Sequence, residues 1–120
     1  MIHHVALEVS PGTVPEEVAF WTAAGFAEVP VPEALGDGYT WLESGGTQIH
    51  LMHTAGPVVP ERGHVAVVAP DFDDAVERLR AIGVAVRPGR ELWGRKRAKA
   101  TSPQGHTVEL MAAPPPVADG

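Results

Sequence analysis

A chain of 120 residues fits one compact domain, and its 44 % hydrophobic content is enough for a core. No apolar run outlasts a strand, which argues against a membrane span, and a formal net charge of −6 argues against nucleic acid or anionic membranes as partners. With no cysteine, disulfides, thiolate catalysis and thiolate metal sites are excluded, so any metal must be held by nitrogen and oxygen.

The opening residues, MIHHVALEV, have neither a cationic start nor a small-residue cleavage site. The expected location is therefore the cytoplasm. Alternating or apolar runs rich in Val and Ile predict strands over about 3–9, 26–31, 38–44 and 47–53. A second set follows over about 63–69, 84–88, 96–101 and 106–112. One helix follows the first strand of each set. In the first, Thr13 and Glu16 read as a capping box, with Pro15 at an early helical position and Gly25 as the left-handed stop. The second helix starts near Asp71, with Asp73 and Asp74 favourable to its dipole. Val76, Leu79 and Ile82 form its expected buried stripe, and Gly83 ends it. The end of the chain, 113–120, has little to bury and is expected to be disordered.

The two sets repeat one another. His4-Val5-Ala6-Leu7 matches His64-Val65-Ala66-Val67, and GTQIHLM from Gly46 matches GHTVELM from Gly105. Between them, Ala24-Gly25-Phe26 matches Ile82-Gly83-Val84. The expected fold is α+β: two βαβββ modules, about 2–55 and 62–112, within a single domain 1–112. Neither half buries both faces of its sheet alone, so the two sheets should form a cup with helices outside.

Side chains alternate faces along a strand. In four strands that rule puts branched aliphatics on one face and a potential metal ligand on the other: His4, His50, His64 and Glu109. These occupy equivalent places in the two repeats, His4 with His64 and His50 with Glu109, so pseudo-twofold symmetry should gather them at one point. Three imidazoles and a carboxylate suit a divalent metal ion: Zn, Ni, Co, Mn or Fe(II). His3 and His53 fall on the opposite parity and are expected to be partly exposed or hydrogen-bonded, not ligands. His106, in the turn after Gly105, is expected in solvent. Trp21, Trp41 and Trp93 read as core or cavity wall, with Trp41 and Trp93 the candidates for contact with substrate. Glu8, Gln48, Arg97, Lys99 and Thr101 are candidates for the cavity side and contact with substrate; for the basic pair the alternatives are a small anionic ligand or a plain solvated face.

These residues resemble the vicinal oxygen chelate superfamily, the glyoxalase, bleomycin-resistance and extradiol-dioxygenase group. The resemblance rests on HVALEV, HVAVVAPDFDDAVERLRAIGV and TSPQGHTVELM, and covers about residues 2–112. The last segment is similar to the family's closing Asp-Pro-x-Gly-Asn…Glu-Leu, here with Ser102 for the Asp and His106 for the Asn. The resemblance implies metal ligands at His4, His64 and Glu109. It places the fourth-strand ligand, commonly Glu in glyoxalase I and Gln in methylmalonyl-CoA epimerase, at His50. Glutathione-dependent members carry Arg where Glu8 stands, which argues against glutathione as substrate. A fourth ligand fills a position that ring-cleaving dioxygenases leave open, and bleomycin-sequestering members lack the metal ligands kept here. Fosfomycin-inactivating members share the three-ligand set.

The implied function is that of a metal-dependent lyase or isomerase of glyoxalase or epimerase type. Its substrate would be a small hydroxy- or oxo-acid-like molecule, with Glu109 or Glu8 moving a proton. The alternatives are a non-catalytic drug- or metabolite-binding protein of bleomycin-resistance type, or a dioxygenase on the same site. Small two-module members often complete the cup across a homodimer, and a dimer is expected here.

Overall fold

A computed structural model describes residues 1–117. Strand β1 (His4–Val9) leads through a 3-10 turn at Pro11–Thr13 into helix α1 (Val14–Ala23). Strands β2 (Ala27–Val29), β3 (Tyr39–Ser44) and β4 (Thr47–His53) follow. The second module repeats the order: β5 (Val65–Val68), α2 (Phe72–Ala81), β6 (Val86–Pro88), β7 (Arg97–Thr101) and β8 (Thr107–Met111). Each module forms a four-stranded mixed sheet, ordered β1-β4-β3-β2 and β5-β8-β7-β6. The first strand of each runs parallel to the last, which a chain can manage only with a long crossover, here supplied by the helix and two strands. The remaining neighbours are antiparallel.

This is the α+β architecture of two βαβββ modules that the repeat implied. Several strands stop a residue or two short of the expected ends, so that His3 and His64 both lie just before their strands. Of the tail, residues 113–117 carry no helix or strand, and 118–120 lie outside the described residues.

The core is built by the aliphatic parity. Val9, Leu42, Ile49 and Leu51 from the first sheet, and Val108 and Leu110 from the second, are essentially inaccessible, together with Phe20, Trp21 and Leu79 of the helices. Each such side chain contributes about 1.5–3 kcal/mol of transfer free energy. Trp21 is a core residue, edge-on to both Phe20 and Phe26.

Three local expectations are corrected. Thr13 does not cap α1: it has helix-like backbone angles (φ −98°, ψ −2°) where a capping residue needs extended ones. The preceding 3-10 turn imposes that conformation, and the hydroxyl lies instead 2.9 Å from the Ser10 carbonyl and 2.8 Å from Gln104 Oε1. Ile82 is 49 % exposed, because it falls beyond the last helical residue where the chain turns at Gly83 (φ 85°). The buried stripe of α2 is Ala75, Val76 and Leu79.

His106 is the third. Far from lying in solvent, it is 4 % exposed. A tight turn, closed by Gly105 N–H to the Ser102 carbonyl at 2.8 Å and His106 N–H to Ser102 Oγ at 3.1 Å, aims its ring at β1. There Nε2–H donates to the Glu8 carbonyl at 2.7 Å. β1 is an edge strand, and a carbonyl on its open side needs a partner once it is covered. The same turn binds the modules further, beyond the contact of Gln104 with Thr13. Gln104 N–H donates to the buried Glu17 carboxylate at 3.0 Å, and Gln104 Oε1 accepts from Ser10 N–H at 2.8 Å.

Candidate metal centre

On the first sheet, β1 and β4 lie side by side, with Ala6 opposite His50 and His4 opposite Gln48. The rings of His4 and His50 stack at 3.9 Å with 12° between their planes. β3 brings Trp41 directly opposite His50, and those rings stack at 4.0 Å and 4°. Trp41, His50 and His4 thus form a three-tiered stack. His3 stands edge-on to His4, with the two Nδ1 atoms 2.9 Å apart. Parity had set His3 apart from this face. It joins because β1 begins only at His4, and strand alternation does not reach a residue outside the strand. His53, by contrast, is hydrogen-bonded to Thr40 Oγ1 at 2.8 Å.

A hydrogen-bond chain orients His50. Glu43 is a carboxylate and can only accept, so the Gln48 amide nitrogen, 3.2 Å away, donates to it. This leaves Gln48 Oε1 to accept from His50 Nε2–H at 2.7 Å. The lone pair of the His50 ring therefore sits on Nδ1. Burial, and after it the neighbouring His4 and His3, hold the His50 pKa below its ordinary value, so the neutral ring is favoured.

On the second sheet, β5 and β8 pair Ala66 with Glu109. His64 donates from Nδ1–H to the Arg62 carbonyl at 3.0 Å, and its Nε2 faces Glu109 Oε2 at 3.4 Å. Facing a carboxylate oxygen, that nitrogen needs either a second proton or a cation between the two. The spacing fits a cation: ligands bonded at about 2.1 Å with angles near 90–110° lie about 3.0–3.4 Å apart. A ligating imidazole anchored through its other nitrogen to a backbone carbonyl is also the usual outer-shell arrangement. The nitrogen and oxygen donors present therefore fit a divalent metal.

Glu109 has a second partner. Arg97, two positions from Lys99 along β7, donates to Oε1 from Nε at 3.1 Å and Nη2 at 3.0 Å. The Arg97 guanidinium lies 5.7 Å from the Trp93 ring centroid, and the indole N–H of Trp93 donates to the Ala113 carbonyl at 3.1 Å. Lys99 is exposed opposite Glu109. Glu8 Oε1 accepts from Val58 N–H at 3.4 Å.

The four expected ligands thus form two pairs, His4 with His50 and His64 with Glu109. Among the described residues, one group of three or more His, Asp or Glu side chains has ligand atoms within 4.8 Å of one another: His3, His4 and His50. His64 and Glu109 are outside it. A cleft of about 270 Å³ between α2 and the β6–β7 edge takes in Arg97 but none of the four. Sequence reasoning missed Glu43 as the residue that orients Gln48; its place beside Gln48 in the β3–β4 register was the available signal.

Comparison with known proteins agrees with this architecture. A protein from Bacillus anthracis assigned to the glyoxalase family superposes with a TM-score of 0.82 at 26 % identity, covering 92 % of this chain and 93 % of that one. Lactoylglutathione lyase from Agrobacterium tumefaciens gives 0.70 at 19 % identity, over 92 % of both chains. A variant of the fosfomycin resistance protein FosX from Listeria monocytogenes, in complex with Mn(II) and 1S,2S-dihydroxypropylphosphonic acid, gives 0.73 at 17 % identity, over 95 % and 93 %. No curated protein matches the sequence. The sequence model of one family spans residues 1–110, and the chain belongs to that family, the Glyoxalase/Bleomycin resistance protein/Dioxygenase superfamily.

Proposed function

We propose that the protein is a metal-dependent lyase or isomerase of glyoxalase or epimerase type, acting on a small oxygen-rich substrate such as a hydroxy- or oxo-acid derivative. The metal would be held by His4, His50, His64 and Glu109, with one chain supplying the first pair and a second copy supplying the other in a homodimer. The observation that carries this reading is the His64–Glu109 pair. Its ring is locked through Nδ1, and its Nε2 faces a carboxylate oxygen at 3.4 Å, a spacing that suits a cation. Separation into two pairs, each on its own sheet, is what a shared site between copies requires.

When bound, a divalent ion would polarise two neighbouring substrate oxygens and acidify the carbon beside them. The chain's own residues divide the remaining work. Arg97 occupies one oxygen of Glu109 and keeps the carboxylate turned toward His64. Among the described residues the Glu8 carboxylate has a single long hydrogen bond, which leaves it the freer of the two carboxylates to take and return a proton. Trp41 supports the flat face of His50, and Lys99 offers an exposed cation to an anionic group of the substrate.

Elemental analysis of protein purified without an affinity tag or chelator tests the metal, and sedimentation tests the dimer. About one transition-metal ion per chain in a dimer is the expected result. A metal-free monomer would remove this reading.

A second reading has one observation in its favour: Arg97 already neutralises Glu109. A protein that sequesters a drug or metabolite against Trp41 and Trp93 would need no metal. Quenching of tryptophan fluorescence by ligand in metal-free protein would favour it.

A further inference from the structure

We propose that His3, His4 and His50 form a metal site of three imidazoles that is complete within one chain. It shares His4 and His50 with the centre proposed above but does not need His64 or Glu109, so it can fail while that centre stands.

The geometry has three parts. The Nδ1 atoms of His3 and His4 are 2.9 Å apart, as close as two ligands of one ion. One nitrogen from each of the three rings lies within 4.8 Å of the others. A tetrahedral site with metal–nitrogen bonds of about 2.0–2.1 Å has edges of about 3.3 Å, so a closure of at most about 1.5 Å is needed. His3, exposed and outside the strand, and His4, exposed and able to turn out of its stack on His50, supply it by side-chain rotation, because near-parallel rings 3.9 Å apart cannot both aim in-plane lone pairs at one ion.

The third part is preorganisation. His50 is held on one side by the Trp41 ring at 4.0 Å and through Nε2 by Gln48 at 2.7 Å, which leaves Nδ1 as its donor. The rigid ligand lies at the base, and the two exposed ligands lie at the mouth, where an ion arrives from solvent. In the hydrogen bond between His3 and His4 one Nδ1 carries the proton. Binding through both Nδ1 atoms moves that proton to Nε2 of the same ring, so both rings stay neutral and no proton is released. Three neutral imidazoles with no carboxylate favour Zn(II), Ni(II) or Cu(II) over oxygen-seeking Mg(II) and Ca(II). The consequence is that a single chain carries its ion before the partner's pair closes on it.

The experiment uses tag-free full-length chain titrated with Zn(II), with the visible absorption of Co(II) as a second readout of nitrogen ligation. In the double variant H64A/E109Q the chain should still take up one Zn(II). Adding H3A should weaken that binding at least tenfold and remove the Co(II) band. H64A alone, at an exposed position, repeats the measurement if the double variant folds poorly. Loss of Zn(II) in H64A/E109Q, with binding intact in the parent, overturns this site and leaves the four-ligand centre standing. Unchanged affinity on adding H3A overturns it as well. A parent chain that binds no Zn(II) overturns both.

Discussion

Gln48 Oε1 lies 2.7 Å from His50 Nε2, and this contact decides which nitrogen of His50 is available to a metal. Glu43 sets the amide, the amide sets the tautomer, and the tautomer leaves the lone pair on Nδ1. Gln48→Leu removes the lock while keeping an apolar stem in the strand. Zn(II) affinity should fall by about ten- to a hundredfold, the usual loss when an outer-shell partner of a ligating histidine is removed. Isothermal titration of parent and variant measures it, and equal affinities would mean that Gln48 does not position the ring.

Arg97 and Glu109 form a largely buried ion pair, with side chains 21 % and 11 % exposed. Arg97→Met leaves a carboxylate without its counter-charge and should cost about 2 kcal/mol in urea unfolding, less than a fully buried pair because water still reaches the arginine. In R97M/E109Q no charge is stranded, so most of that loss should return. Additive losses in the double variant would show that the two side chains act independently.

His50 is favoured as the neutral ring, its pKa held below the ordinary 6.5 by burial and then by His4 and His3. The unfolded chain therefore takes up its proton first as pH falls. Stability attributable to His50 is full above pH 6.5 and declines as pH drops from 6.5 toward the lower folded-state value. Thermal unfolding of metal-free protein between neutral and mildly acidic pH should show a falling Tm, and His50→Gln should flatten that slope. A steeper slope in the variant would contradict the assigned direction.

His106 ties the second module to the first through the Glu8 carbonyl at 2.7 Å. His106→Ala leaves that covered carbonyl without its donor and opens space in the turn. The expected loss is about 1–3 kcal/mol, read from chemical denaturation. If the site were in solvent, as its turn sequence suggests, the variant would unfold like the parent.

Much of the fold is legible in the chain. The doubled HVA and G-x-x-[IV]-[HE]-L-M segments place four strands, and period-two alternation puts Ile49, Leu51, Val108 and Leu110 in the core. The same alternation puts His50 and Glu109 on the other face. It fails for His3 and is untested by parity for His64, because both precede their strands and their direction depends on where pairing begins. The capping pattern at Thr13 fails for a related reason. A motif records which residues are able to bond, while a long-range competitor, here Gln104, decides which bond is made.

The sequence alone determined the repeat, the strand–helix order, the buried faces and the residue types able to hold a metal. The repeat follows from matching segments such as those at His4 and His64, and the rest from spacing over a few residues. Tertiary structure decided that His106 is buried, that Arg97 claims an oxygen of Glu109, and that the imidazoles gather in a stack apart from the His64–Glu109 pair. These depend on partners as far as 98 residues away. Such contacts form only when whole sheets and helices have packed, and no local pattern encodes them.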